Sequence, residues 1–343
     1  MKPASCRFLE PSKMQDGMIS NGEDLPSRML ETWPLYFRCV HCGSSLGAWQ
    51  RQRDEWRCDT CGQLYRRVNG VLDFVGAHET DDRRTPDAGQ MSSFAKPTIE
   101  EPEWKVLSLR LQALFSTEYF GTEPSISSGD LTARPVTSSM LLDVGCGYGG
   151  LVAYAGSRFG LVVGVDADRE QLQSAKTLLK QKFPDNLVLI RAHAEKLPFL
   201  PGQFSAVTCV QTLEHVFNPE AVIAQIRLML APGGRVYISV PNRFTLRREP
   251  HTNLRWIGWL PKRLAMHYAR RFGKEEQLRG VHFLSVGKLS AMLRRTFGTS
   301  FQLIRSGCHQ SALGKLAKTA WHVPPLSVLA AHLVGDIEVV AWK

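Results

Sequence analysis

MLLDVGCGYGG, running from Met140 to Gly150, decides how the rest of the chain is read. Its apolar positions, Met140, Leu141, Leu142 and Val144, give way to glycines at 145, 147, 149 and 150. Such a run predicts a buried strand that stops in a tight turn and opens a helix. Glycine is required there because a Cβ would keep the backbone from a bound ligand and from positive φ. Gly145-x-Gly147-x-x-Gly150 also satisfies the dinucleotide fingerprint, with a pyrophosphate on the helix N-terminus. Asp143 argues against that ligand. Two residues before the first glycine, its carboxylate repels a pyrophosphate but favours S-adenosylmethionine, which carries a sulfonium and an ammonium and no phosphate. The turn is therefore expected to hold that methyl donor; the plainer alternative is a glycine-rich turn without a ligand.

The chain beyond the turn alternates strands and helices. LVAYAGSRFG is expected to be a short helix ended by Gly160, and LVVGVD a second buried strand ending at Asp166. An acid at that place is positioned to accept both ribose hydroxyls. Asp168 is the natural cap of the next helix, ADREQLQSAKTLLKQKF. LVLIRA and FSAVTCV follow as strands three and four. A helix from Pro219 to Leu230 stops at Ala231-Pro232-Gly233-Gly234, and RVYISVPN is strand five. This alternation means an α/β fold with a mostly parallel sheet and ligands at the strand C-terminal ends.

The N-terminal part is different. Residues 1–30 mix Pro, Ser, Gly and charge without a period and read as a flexible leader. Within 31–76, Cys39-x-x-Cys42-Gly43 and Cys58-x-x-Cys61-Gly62 present four thiolates at the spacing of a tetrahedral, structural zinc site. The glycine after each pair lets the backbone N–H groups face the sulfurs. His41 reads as a loop residue rather than a fifth ligand. GQLYRRVNGVLDFVG alternates apolar and polar residues and turns at Asn69-Gly70, a hairpin. Residues 77–103 are charged and proline-bearing and read as a linker to a second domain, 104–343, whose first segment, 104–120, has a partly helical apolar pattern. Cys6, Cys146, Cys209 and Cys308 are scattered and read as thiols without a metal role.

A chain of 343 residues with 43% apolar and 9% aromatic content is long enough for about two domains with a real core. Lys and Arg number 42 against 32 Asp and Glu, a basic balance that suits nucleic acid, an anionic membrane surface or an acidic substrate without choosing among them. The N-terminus lacks a basic segment followed by an apolar core, and the most apolar tract, Ala320 to Val334, is short and broken by Pro324, Pro325 and two histidines. A cytoplasmic protein is expected, at most peripheral to the inner face of the membrane.

Seven motifs in order, DVGCGYGG, GVDAD, AEKLPF, LEHV, APGG, VPN and GVHFLS, resemble the class I methyltransferases, most closely the branch of the ubiquinone-biosynthesis O-methyltransferases. The piece from about 37 to 76 resembles the Trm112-like zinc ribbons, which accompany methyltransferases as separate or fused partners. The resemblance implies a Rossmann-like sheet of order 3-2-1-4-5-7-6 whose last strand, DIEVVAW, is antiparallel, preceded by a small zinc-ribbon domain. It implies that Asp143, Gly145, Gly147 and Gly149 line the methionine end of the donor, that Asp166 holds the ribose, that the Ala194 N–H lies near the adenine, and that Gln211 lies at the mouth under the methyl group. Where the family has an acid for the adenine amino group this chain has His193, leaving that contact to His193 or to Glu195.

Methyl transfer to a hydroxyl needs positioning and a base. His215, Glu249, His251 and His282 are the candidates, and His282 leads because the ubiquinone branch carries a histidine at the matching place, here Gly280-Val281-His282. An insertion at 243–284 falls where that family builds its acceptor cap. Trp256, Trp259, Leu260, Leu264, Tyr268 and Phe272 read at helical spacing there, among Arg247, Arg248, Lys262, Arg263, Arg270, Arg271 and Lys274. Segment 247–274 is thus either an element that lies on an anionic membrane or a lid with a solvated basic face. The expected function is O-methylation of a small molecule, glycan or lipid-linked intermediate. An RNA base methyltransferase that grips phosphates with ribbon and basic surface is the alternative, and a degenerate, non-enzymatic scaffold is a second one.

Overall fold

The computed structural model describes residues 35–48, 54–75, 136–156, 159–180, 186–246, 248–304 and 336–343. The expected leader, the linker and the helical pattern at 104–120 lie outside the described residues.

Among the described residues, five short strands come first: β1 (Tyr36–Arg38), β2 (Ser45–Ala48), β3 (Glu55–Arg57), β4 (Leu64–Val68) and β5 (Val71–Asp73). β1 and β2 form one hairpin, β3 to β5 a meander. The Asn69-Gly70 turn is as expected, both residues taking positive φ, 51° and 77°. The α/β part follows as β6 (Val136–Val144), α1 (Gly150–Ala155), β7 (Phe159–Asp166), α2 (Arg169–Lys180), β8 (Leu187–Arg191), β9 (Phe204–Val210), α3 (Pro219–Met229) and β10 (Leu230–Pro241). The insertion contributes a 3-10 turn (Ile257–Trp259), α4 (Lys262–Arg271) and α5 (Glu275–Leu278); α6 (Val286–Phe297), β11 (Phe301–Ile304) and β12 (Asp336–Trp342) complete the fold.

Counted from β6, the order β8-β7-β6-β9-β10-β12-β11 is 3-2-1-4-5-7-6, with β12 antiparallel to both neighbours. Successive residues of a strand face opposite sides. Leu142, Val144, Val163 and Val165 therefore enter the core under α3 and α6, while Leu141 and Val162 enter the one under α1 and α2. Both faces being covered, the central strands are largely apolar, with Asp143 of β6 and Thr208 of β9 as buried polar exceptions.

The sheet does not stop at β8. β5 pairs with β8 in parallel, Leu72 opposite Ile190 and Asp73 opposite Arg191, so that β5, β4 and β3 extend one sheet to ten strands. An ion pair sits on this seam: Asp73 Oδ2 accepts from Arg191 at 3.2 Å and from Arg169 at 3.1 Å. β1 docks separately on the segment after β8, where Arg38 N–H donates to the Pro198 carbonyl and Leu200 N–H to that of Tyr36. The Phe37 ring lies 5.1 Å from Phe74 and 5.7 Å from Phe199, all three buried in the larger core. The cysteine-bearing segment is thereby a wing of the main sheet.

Three local expectations are corrected. Helix α1 ends at Gly156 rather than Gly160, which lies inside β7 because Phe159 already pairs with Val136 of β6. Ala231-Pro232-Gly233-Gly234 is a bulge within β10: α3 ends at Leu230 in an extended conformation and regular pairing resumes at Arg235. The insertion aromatics do not share one helix, because Pro261 separates the Trp256–Trp259 turn from α4. Helix α4 buries Ala265 and Ala269, leaving Leu264 and Phe272 exposed.

Because Phe37 is packed into the shared core, Phe37→Ala is expected to cost about 3–5 kcal/mol and to shift a single urea transition seen alike by tryptophan fluorescence and far-ultraviolet circular dichroism. Two separate transitions would show the cysteine-bearing wing to be an independent unit.

Candidate functional site

The sheet brings the expected donor residues to one end. Asp143 lies at the end of β6 and Gly145 to Gly149 follow it, Asp166 ends β7, His193 and Ala194 follow β8, and Gln211 follows β9. Gly145 and Cys146 donate their N–H groups to the Val165 carbonyl at 2.8 and 3.0 Å, fastening the turn to β7. Gly147 N–H then donates to Asp166 Oδ2 at 2.8 Å, and Asp168 N–H to Oδ1 at 2.9 Å. Burial pushes the Asp166 carboxyl up against those two bonds. Asp168 caps α2 as expected, accepting from Glu170 and Gln171.

Asp143 is buried and accepts from Thr208 Oγ1 at 2.7 Å. Burial, with the Asp166 charge adding to it, outweighs that bond and raises its carboxyl to about 7. A cation brought to this turn would draw out the carboxylate. Gly145, at φ 76°, faces Thr212, whose Cβ would be 2.8 Å from a Cβ added to the glycine. Thr208 and Thr212 were not apparent in the sequence, since their part depends on β9 lying beside β6.

His193 opens a turn closed by Lys196 N–H on its carbonyl at 3.0 Å. Glu195 is committed elsewhere, its Oε1 accepting the Phe217 and Asn218 N–H groups at 2.8 and 3.3 Å at the entry to α3. Gln211 has φ 51°, held by its N–H on the Ser239 carbonyl at 2.8 Å. Positive φ in a non-glycine at the end of a central strand is the kind of strain that collects at functional sites.

Beyond Gln211 the chain enters a cluster of histidines and acids. The loop from Arg248 to Arg255, closed by Glu249 N–H on the Leu254 carbonyl, carries His251 to His215, their Nε2 atoms 3.0 Å apart. Glu249 bonds the Nδ1 of His251 and accepts from the Thr252 N–H and hydroxyl, both at 2.7 Å. These bonds hold the Glu249 carboxyl below its ordinary value although burial pushes it up. Burial, then His251, lowers His215 to about 4. His282 N–H donates to the Glu214 carbonyl at 2.8 Å, and burial lowers its imidazole below the ordinary histidine value. His251, His282, Glu214, Arg243 and Trp256 line a shallow recess open to solvent. All three expected histidines thus meet at one place, and Glu214, legible only as part of LEHV, joins them.

The four cysteines also meet. Their sulfurs lie within 4.8 Å of one another, Cys39 to Cys61 at 3.6 Å and Cys42 to Cys58 at 3.5 Å. Four sulfurs about 2.3 Å from a tetrahedral zinc stand about 3.8 Å apart, so the set fits that ion. The Ser44 hydroxyl and N–H lower the Cys42 thiol to about 6, and the Tyr65 hydroxyl lies 3.0 Å from the Cys39 sulfur.

Residues 142–238 match the model of a methyltransferase domain, covering the glycine turn and the sheet from β6 into β10. A ubiquinone biosynthesis O-methyltransferase of Dechloromonas aromatica is 40% identical over 114 residues, 32% of this chain and 48% of that protein. An uncharacterized 37.1 kDa protein in a transposon of Streptomyces fradiae is 31% identical over 138 residues, 38% of each chain. The chain spans about half the length of the ubiquinone-biosynthesis relatives it matches. Among solved structures, an S-adenosylmethionine dependent methyltransferase from Mesorhizobium loti covers 60% of this chain and 91% of its own at 19% identity and a TM-score of 0.39. Residues 142–238, from within β6 to within β10, are thus similar to a methyltransferase domain.

Gly145→Ala is expected to destabilise more than Gly202→Ala. Both glycines have φ near 80°, which costs alanine about 1–2 kcal/mol, but only at 145 does the new methyl meet a neighbour, Thr212. Equal urea midpoints for the two variants would contradict the packing of Thr212 on the turn.

Proposed function

We propose that the chain transfers a methyl group from S-adenosylmethionine to a hydroxyl of a small or lipid-linked acceptor. The observation that carries the reading is the adjacency of two sites: Gln211 to His215 runs directly from the glycine turn, which Thr212 touches, into the histidine-lined recess. Asp166 has the place for the ribose, His193 and Ala194 for the adenine, Asp143 and the three glycines for the methionine end. The acceptor occupies the recess, and His282, which lines it outside the His215–His251–Glu249 chain, is the base. The O–C bond forms as the donor C–S bond breaks, the electron pair stays on sulfur, and the hydroxyl proton passes to the imidazole. Holding donor and acceptor in line supplies most of the acceleration.

Trp256, on the recess lining, and Trp259, 6.2 Å from it, are 53% and 42% exposed, and Lys262 and Arg263 open the helix that follows, which favours an acceptor delivered from an anionic lipid surface. The cysteine set would hold a structural zinc and keep β1 and β2 in place beside the segment after β8.

Labelled-methyl transfer from S-adenosylmethionine, with a lipid and metabolite extract and total RNA offered in parallel, tests the reading. Label is expected in the organic fraction, falling on the order of 100-fold in His282→Ala while S-adenosylhomocysteine still binds. Label in RNA alone would overturn the acceptor class.

A further inference from the structure

Two residues on the recess lining have no part in the transfer itself. Glu214 is 2% exposed, and neither of its carboxyl oxygens has a hydrogen-bond partner among the described residues. A buried carboxyl left so is costly unless something meets it. Burial raises it to about 8, so both protonation states are present near neutral pH. A partner for it must donate as readily as accept, which a hydroxyl does and an ammonium or a carbonyl does not.

The other residue is Trp256. It is 53% exposed, and its backbone takes φ 67°. A bulky side chain at positive φ is strained and persists only where the surroundings impose it. Arg243 imposes it from one side, its Nε donating to the Gly258 carbonyl at 2.6 Å and its Nη2 to the Leu260 carbonyl at 3.1 Å. The Arg243 carbonyl presses on the same turn, since a Cβ added to Gly258 would stand 2.1 Å from it. Trp259, whose indole N–H donates to the Thr245 carbonyl at 3.3 Å, meets Trp256 edge-on, the ring centroids 6.2 Å apart. The turn is thus clamped, and it holds an open indole at the recess wall.

An open indole beside an unmet buried carboxyl suits a sugar ring. A pyranose packs a face of polarised C–H groups on the electron-rich face of an indole. The hydroxyls round its edge donate or accept as the carboxyl requires. A flat aromatic acceptor has two apolar faces and calls for a slot closed on both sides. This recess is shallow and open, and leaves the far edge of a sugar in water.

We propose that the acceptor hydroxyl belongs to a pyranose ring, seated with one face on Trp256 and a neighbouring hydroxyl on Glu214. The inference rests on the reading that the acceptor occupies this recess. The reaction is the transfer written above: the methyl carbon leaves sulfur for the ring oxygen of one hydroxyl, whose proton passes to His282. Glu214 and Trp256 do not touch the reacting atoms; they select the acceptor and set how it lies.

The test is saturation-transfer nuclear magnetic resonance on the full chain, with the methyl pyranosides of glucose, galactose, mannose and rhamnose as probes and catechol as a flat competitor. At least one pyranoside is expected to bind without being displaced by catechol. Trp256→Ala and Glu214→Leu should each weaken that binding by about tenfold, and Trp256→Phe should retain most of it. Trp342→Ala should leave it unchanged, since that exposed tryptophan pairs with Arg235 at the opposite end of β10. Glu214→Leu removes an unmet buried carboxyl at similar volume, so its melting temperature should not fall, and circular dichroism confirms that each variant is folded. In labelled-methyl transfer, acid hydrolysis of the product should release an O-methyl monosaccharide, from the organic phase if the sugar is lipid-linked and from the aqueous phase if it is not. Binding by none of the four pyranosides, binding unaltered in both Trp256→Ala and Glu214→Leu, or label that stays on a phenol would overturn the proposal. S-adenosylhomocysteine binding, measured on the same samples, separates the two readings. Donor binding without pyranoside binding removes the sugar alone, and pyranoside binding without donor binding removes the methyltransferase reading alone.

Discussion

Everything at the functional end of this molecule depends on one hydrogen bond, that of the Gly147 N–H on the Asp166 carboxylate. It ties the turn after β6 to the end of β7 and, with the two N–H groups on the Val165 carbonyl, fixes the path of the glycines. The same carboxylate takes the Asp168 N–H and so sets where α2 begins. A single acid therefore fixes the floor of the proposed donor site, the position proposed for the ribose and the start of the neighbouring helix. A charged acceptor of backbone N–H groups is stronger than a neutral one, which suits a glycine-rich turn whose packing rests on Cys146.

The cysteine-bearing wing stands at the other side of that site. Without it β8 would be an edge, and an exposed edge invites pairing with other chains. β5 fills the edge, and Phe37 and Phe74 continue the core beneath it. The segment from His193 to Leu200 is thus held between β1 on one side and the end of β8 on the other. The Cys39 sulfur, through Tyr65, is part of the same packing, since that hydroxyl also receives the Val40 N–H at 3.1 Å.

Much of this was legible in the sequence because it is written locally. The glycine turn, the acid at the end of the second strand, the paired cysteine knuckles and the Asn69-Gly70 hairpin each need only a few neighbouring residues. What was not legible depends on contacts between distant segments. The pairing of Leu72 with Ile190 leaves no local periodicity, so the wing read as a separate domain. The bond of Thr208 to Asp143 follows from sheet order rather than from either stretch alone. The meeting of His251 with His215 depends on a short loop closed by backbone bonds, and the helical spacing read into the insertion overlooked Pro261. The sequence named both histidines as possible bases without showing that they touch.

The most direct test of the donor site is the affinity for S-adenosylhomocysteine as a function of pH, in the wild type and in Asp143→Asn. Burial raises the Asp143 carboxyl to about 7, so at pH 6 it is mostly protonated, and the ligand's ammonium must displace that proton. Affinity is predicted to rise between pH 6 and 8, by up to about tenfold per pH unit, and to become flat and weaker in Asp143→Asn. Absence of saturable binding, or a pH dependence unchanged in the variant, would contradict a donor seated on this turn.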